Sequence, residues 1–210
     1  VSGTEILTAG DYGLAYGANT FPGTGSVTVT GKNNYTGTVE KTFTIRRLKL
    51  SDTNTEIGAL SNVEYSGVPQ RQVPAVRADL DGDGVMETEL RFGTDFTLAY
   101  AGDTVNVTDA GGTVTVTGMG SYEGDMGAVS YRITPRTILP EWIEVLPGEL
   151  TYTGSALTPA VRVCDGDIRL KAGTDYTLSY ADPIQQGTAT VTVTGKGNYQ
   201  GAPEAHFTIA

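Results

Sequence analysis

The chain has 210 residues, 14 basic against 24 acidic side chains, and a formal net charge of -10. With no Lys/Arg-rich run this balance argues against a nucleic-acid or anionic-membrane surface, and one cysteine, Cys164, argues against a cystine-stapled scaffold. No apolar run is long enough for membrane insertion, and the length admits up to about three domains with cores of their own.

In chain order, Tyr12, Leu14 and Tyr16 alternate with Asp11, Gly13 and Ala15, the period-two pattern of a half-buried strand. Residues 25–45, GSVTVTGKNNYTGTVEKTFTI, follow. Val27 and Val29 are expected in a core, with Thr28 and Thr30 on an outer face. A glycine-bounded turn at 31–37 then leads to a closing strand carrying Phe43 and Ile45. Residues 46–64 open with Arg46-Arg-Leu-Lys-Leu50 and the polar run 51–56, which reads as a linker into the next strand and not as core.

The same anchors return twice. Asp95-Phe-Thr-Leu-Ala-Tyr100 precedes GTVTVTGMGSYEGDMGAVSYRI (112–133), and Asp175-Tyr-Thr-Leu-Ser-Tyr180 precedes GTATVTVTGKGNYQGAPEAHFTI (187–209). Upstream, Tyr65-Ser-Gly67 and Pro74-Ala-Val-Arg77 answer Tyr152-Thr-Gly154 and Pro159-Ala-Val-Arg162. The first segment has no such half, so Val1 reads as joining a module already under way. Thr134-Pro135 marks a second junction, and residues 136–150, with Pro140 and Pro147 around Trp142, read as a leading strand with irregular ends. Self-similarity of this kind predicts modules in a row: a partial one at 1–46, one with an acidic loop at 47–134 and one at 135–210. Short alternating strands bury a single face, so each module needs two sheets, and no stretch has helical periodicity. The expected fold is all-β, tandem immunoglobulin-like β-sandwiches with the first incomplete. The Cys…Trp…Cys core of antibody domains is absent, so the expectation concerns architecture and not antibody kinship.

The runs LKAGTDYTLSY (170–180) and GTATVTVTGKGNYQGAPEAHFTI (187–209) resemble the tandem Ig-like repeats of large secreted and cell-surface proteins of gut-type Gram-positive bacteria. The resemblance extends over nearly the whole chain and is strongest in the third segment; in the second, Met119 and Ser121 stand where the third has Lys196 and Asn198. It implies a stalk, spacer or adhesin module, extracellular or attached to the cell wall, within a larger protein. It implies no catalytic residues and leaves the surface ligand unidentified, with a glycan or a host protein as the candidates.

The second segment departs from the third by a longer connection after Pro-Ala-Val-Arg. Where the third has Cys164-Asp-Gly-Asp167, the second has Asp79-Leu-Asp81-Gly-Asp83-Gly-Val-Met-Glu87-Thr-Glu89. Acids at every second position followed by glycine match the start of a calcium loop: Asp79, Asp81 and Asp83 as carboxylate ligands, the Val85 carbonyl next, and Glu87 nearby. The bidentate Glu that would close the loop is missing, since its position is Leu90 with Glu89 one residue early, and no flanking helices occur. The competing reading is an acidic hairpin tip that stays solvated. No cofactor is required on either reading, and calcium is the one ion with a candidate site.

No Gly-x-Ser-x-Gly elbow, phosphate loop or zinc spacing occurs, and the expectation is no enzyme. His206, the only histidine, alternates with Phe207 and reads as a surface strand residue. Cys164 reads as a small apolar residue in a strand beside a turn. Tyr35, Tyr122 and Tyr199 occupy matching places and are weighed as core or corner tyrosines against a glycan platform. Lys32 and Lys196 are candidates for intramolecular isopeptide links, against which Met119 at the matching place argues. Two functions stay open: a structural or adhesive stalk, and a carbohydrate-binding accessory region of a secreted enzyme. The incomplete first segment would leave a core face open, so either residues 1–10 fold back over it or a neighbouring chain covers it by self-association.

Overall fold

A computed structural model describes residues 6–210. Its regular structure is strands, with one three-residue 3-10 turn at Pro140–Trp142 and no α-helix among the described residues. The first segment holds β1 (Tyr12–Tyr16), β2 (Gly23–Gly31) and β3 (Thr38–Ile45). The second holds β4 (Leu48–Lys49), β5 (Thr55–Ile57), β6 (Val63–Glu64), β7 (Val76–Ala78), β8 (Thr88–Leu90), β9 (Phe96–Gly102), β10 (Gly112–Gly118), β11 (Tyr122–Glu123), β12 (Asp125–Tyr131) and β13 (Ile133–Thr134). The third holds β14 (Arg136–Thr137), β15 (Ile143–Leu146), β16 (Glu149–Leu150), β17 (Ala160–Asp165), β18 (Ile168–Arg169), β19 (Tyr176–Ala181), β20 (Gly187–Gly195), β21 (Tyr199–Gln200) and β22 (Glu204–Ile209).

Two compact units result. One takes the described residues up to Gly58 with Ala75–Ala99 and Thr115–Ala128; the other takes Ala59–Pro74, Tyr100–Val114 and Val129–Ala210. In the first unit β1, β2 and β3 form an antiparallel meander with Tyr12 opposite Gly31 and Gly25 opposite Phe43. Strands β5, β7 and β8 form a second antiparallel sheet. Val76, Ala78 and Leu90 of that sheet pack with Leu50, Phe96, Val116 and Met126 in one core.

In the second unit β15, β17 and β18 form one sheet and β16, β22, β20 and β19 another, the latter in that order. Val163 from the first of these and Tyr176 and Val193 from the second share a core with Ile138, Leu170 and Tyr199. Ala189, Phe207 and Ile209 form a smaller cluster against Val145, Leu150 and Tyr180. Sheet therefore covers sheet, the arrangement that alternating strands demand.

The motif aspartates have a local reason. Asp95 and Asp175 accept the backbone N–H of Arg91 (2.9 Å) and Lys171 (2.8 Å), and Asp11 accepts that of Thr8 (2.8 Å), so each closes the turn that launches its strand.

The expected linker at 46–64 is a correction. Leu50 is fully buried in the core, and the polar run after it is a turn: Asn54 accepts the Ser51 N–H through its side chain (2.8 Å) and Thr55 donates its hydroxyl to the Ser51 carbonyl (2.5 Å). Thr55 then begins β5. Within the run Ser51, Asn54 and Thr55 satisfy one another in the turn, while Asp52, Thr53 and Glu56 are exposed. Residues 136–150 do lead into the third segment with irregular ends, as two short strands and the 3-10 turn before β16.

Candidate functional site

The acidic stretch is the tip of the β7–β8 hairpin, since Ala78 lies opposite Thr88 and everything between them is loop. Its counterpart, β17–β18, closes tightly with Asp165 opposite Ile168. In the longer loop Asp79 accepts the N–H groups of Gly82 (2.6 Å) and Gly84 (2.8 Å) on its two oxygens. Asp81 accepts that of Asp83 (3.2 Å) and Asp83 that of Val85 (2.8 Å). Gly82 and Gly84 turn at φ +82° and +88°, a region that disfavours side chains. The Gly84 N–H first, and the Gly82 N–H after it, hold the Asp79 carboxyl below its ordinary range, so it stays ionised.

These bonds curl the loop so that one oxygen from each of Asp79, Asp81, Asp83 and Glu87 lies within 4.8 Å of the others. Oxygens bound to one Ca²⁺ at about 2.3–2.6 Å lie up to roughly 5 Å apart, so four such oxygens meet the ion's distance demand and supply part of its usual six to eight ligands. Glu89 is outside the group: it sits on β8 opposite Arg77. Val85 is exposed and enters the loop as the N–H donor to Asp83. With a dissociation constant near 1 mM, as for extracellular modules, 10 mM calcium contributes about 1.4 kcal/mol. For a chain of this size that raises the melting temperature by roughly 3–5 °C. Asp81→Ala is expected to abolish the rise in a thermal melt with and without calcium; an unshifted wild type assigns the loop to the solvated hairpin tip.

The three tyrosines are corner residues to different degrees. Tyr199 is buried in the third segment's core, edge-on to Tyr65 at 5.5 Å, while Tyr122 and Tyr35 are half-buried. Burial, with Asp165 and Tyr65 nearby adding to it, pushes Tyr199 up to about 12. Burial also raises Tyr122, Tyr131, Tyr176 and Tyr180. A tyrosine whose folded pKa exceeds the unfolded value near 10 gives stability that is whole below about pH 10. That stability is lost as pH rises through the folded value, so the melting temperature is expected to fall between about pH 10 and 12. Tyr199→Phe should flatten part of the fall; a level profile over that window would contradict the burial.

His206 is an exposed strand residue 3.1 Å from the Thr190 hydroxyl, and Cys164 is half-buried in β17 beside the turn at Gly166. The Lys196 ammonium donates to the Gly173 carbonyl (2.9 Å). Lys32, Met119 and Lys196 act alike through the backbone, where their N–H groups bond the carbonyls of Asp11, Asp95 and Asp175 at 2.8, 2.9 and 2.8 Å. Such a bond is indifferent to the side chain, which is why Met119 fits.

Two features escaped the sequence reading. A groove of about 460 Å³ runs beside Trp142 between Glu141, Glu144, Arg162 and Cys164. The Arg136 guanidinium lies 5.4 Å from the Trp142 ring centre while pairing with Asp165 (2.9 Å), and Arg162 pairs with Glu144. Asn198 accepts the Val107 N–H (2.8 Å) and donates to the Asn106 side chain (2.9 Å), tying the loop after β9 to the turn before β21. The lone tryptophan was a readable signal for the groove; nothing local marks Asn198. No described helix is long and apolar enough to cross a membrane.

Comparison with protein families, curated proteins and solved structures returns no match.

Proposed function

We propose that the chain is a non-catalytic structural or adhesive segment of an extracellular bacterial surface protein, a stalk or spacer of tandem Ig-like modules. The observation that carries this reading is the construction of its junctions. After β3 the Leu48 N–H donates to the Ser121 carbonyl (3.0 Å) and the Leu50 N–H to that of Glu123 (2.7 Å), pairing β4 in parallel with β11. After β13 the Arg136 N–H donates to Asn198 and the Ile138 N–H to Gln200 (both 2.9 Å), pairing β14 in parallel with β21. In each case an aliphatic side chain, Leu50 or Ile138, is then buried. Each entry strand is thus paired and anchored within its own segment two residues after β3 and one residue after β13, which leaves little free chain to act as a flexible linker.

The junctions contain trypsin sites, which gives the test. Under native conditions the bonds after Lys49 and Arg136 are expected to survive while the denatured chain is cut there readily. Rapid native cleavage at both would remove the stiff-spacer reading.

A second reading, a carbohydrate-binding accessory region, is favoured by the Trp142 groove, where an aromatic ring is flanked by two carboxylates and a guanidinium. A glycan array separates the two. The spacer reading expects no saturable binding, and saturable binding of one polysaccharide that Trp142→Ala abolishes would establish the accessory reading.

A further inference from the structure

The two junctions share a backbone plan and close differently. The Leu48 N–H donates to the Ser121 carbonyl as the Arg136 N–H does to that of Asn198, so Arg47 stands where the second junction has Pro135, and Ser121 where it has Asn198. The loop that reaches each junction from the preceding segment differs as well. Eleven residues separate Tyr100 from Gly112, and eight separate Tyr16 from Gly25. At the second junction the longer loop meets Asn198, which bonds the Asn106 side chain and the Val107 N–H at 2.9 and 2.8 Å. At the first the loop is shorter and a serine replaces the asparagine. A groove of about 520 Å³ lies there between Phe21 and Pro22 on one side and Thr94, Asp95 and Ser121 on the other, flanked by Arg47, all within one compact unit.

We infer that this groove binds a small apolar zwitterion, an α-amino acid or a dipeptide with free termini. Its walls are set before a ligand arrives. Phe21, 72 % exposed beside the half-buried Pro22, offers the apolar side. Asn19 fixes that loop by accepting the Ser26 N–H and donating to the Ser26 carbonyl, both at 2.9 Å. On the far side the Asp95 Oδ2 accepts the Arg91 N–H (2.9 Å). A methyl group on Gly120 would come within 2.5 Å of the Thr94 carbonyl, so the two loops of that wall lie in backbone contact. Among the described residues the Asp95 Oδ1 accepts no hydrogen bond and Arg47 forms no ion pair.

Charge selects the occupant. One carboxylate and one guanidinium line the same groove without pairing with each other. A neutral sugar leaves both charges uncompensated, a simple carboxylic acid sets a like charge against Asp95, and a simple amine sets one against Arg47. A zwitterion answers both. Its carboxylate takes the two-pronged donor set of Arg47, its ammonium the free oxygen of Asp95, and its apolar side chain the face of Phe21. The volume lies within the usual range of small-molecule sites.

The fold-back expected of residues 1–10 falls partly on residues 1–5, which lie outside the described residues, and no lining residue is among those ten. In the other two segments it is the start of the corresponding loop that bonds the preceding half of its own module: the Thr104 and Pro183 carbonyls accept the N–H groups of Gln70 (2.7 Å) and Leu157 (2.8 Å). That place answers to Asn19, three residues after Tyr16, so Phe21 and Pro22 lie on the side of the second segment.

An amide chemical-shift titration of the 210-residue chain with L-leucine and with leucyl-leucine tests this. Saturable shifts are expected at Arg47, Asp95 and Ser121, and the tighter probe tells amino acid from dipeptide. N-acetyl-leucine and leucine amide, each lacking one of the two charges, should bind at least about tenfold more weakly. Arg47→Ala should cost L-leucine a similar factor and erase its advantage over leucine amide. Asp95→Asn, which keeps an acceptor for the Arg91 N–H, should erase the advantage over N-acetyl-leucine. Phe21→Ala should weaken leucine more than glycine, and a thermal melt confirms that the variants fold. The absence of saturable shifts with both probes at about 10 mM overturns the inference. So does equal binding of the two blocked ligands, or retention of both preferences in the Arg47 and Asp95 variants. A monosaccharide that saturates the same amides where both probes fail overturns it too, and assigns the groove to a glycan.

Discussion

Replacing Leu50 by alanine is expected to lower the stability of the unit whose core it fills by about 3 kcal/mol, within the usual range for buried leucines. Leu50 has 0 % exposure and packs among Val76, Ala78, Leu90, Phe96, Val116 and Met126. Alanine removes the side chain that unites residues from β7, β8, β9, β10 and β12. The backbone bond from the Leu50 N–H to Glu123 does not depend on that side chain, so the loss is one of packing. For a chain of this length it corresponds to a fall of roughly 6–12 °C in the melting temperature. The control is two residues away: Leu48, 42 % exposed on β4, should tolerate alanine within about 0.5 kcal/mol. Thermal melts of the two variants decide between core anchor and linker. Equal, small effects would return the segment to the role its composition suggests.

Much of the fold was legible because it is periodic. The Val/Thr alternation of 189–194 places Val191 and Val193 inside and leaves the threonines outward, and the Asp-x-x-Leu-x-Tyr anchors do begin strands β1, β9 and β19. What was not legible depends on partners far away in the chain. Val27 and Val29 carry the same alternation as Val191 and Val193 but are half-buried, because burial belongs to the covering sheet and not to the strand that needs it. Leu50 was obscured by Lys49 before it and by the polar run after it, in which Ser51, Asn54 and Thr55 bond one another in a turn.

The acidic loop was partly readable. Alternate spacing brings Asp79, Asp81 and Asp83 together, while the choice between Glu87 and Glu89 rests on hairpin register: Thr88 pairs with Ala78, so Glu87 is the first residue off the ladder and joins the aspartates, and Glu89 stays on it opposite Arg77. Sequence spacing alone carries no information on where a ladder ends.

Gly37, Gly124 and Gly201 occupy the same place in the three segments, yet alanine there is expected to have graded effects, largest at Gly124. All three have positive φ, +98°, +111° and +91°, so a side chain costs each of them on the order of 1–2 kcal/mol of backbone strain. The surroundings separate them. At Gly37 a methyl group meets open space, and at Gly201 it meets the Thr137 methyl at 3.3 Å, which a small side-chain adjustment relieves. At Gly124 it collides with the backbone carbonyl of Leu50, which cannot rotate away without disturbing the junction. Gly124→Ala is therefore expected to cost about 3 kcal/mol or more, adding overpacking to strain, against roughly 1–2 kcal/mol at Gly201 and about 1 kcal/mol at Gly37.

Hydrogen exchange locates the damage. In Gly124→Ala the Leu48 and Leu50 amides, bonded to Ser121 and Glu123, should lose protection ahead of the rest of the core, because the displaced carbonyl is that of Leu50, directly after β4. In Gly201→Ala the Arg136 and Ile138 amides, their counterparts on Asn198 and Gln200, should remain protected. Equal loss at both junctions would mean that φ alone governs these glycines. A loss confined to Leu48 and Leu50 identifies close backbone approach as the reason Gly124 admits no side chain, and marks that junction as the more tightly packed of the two.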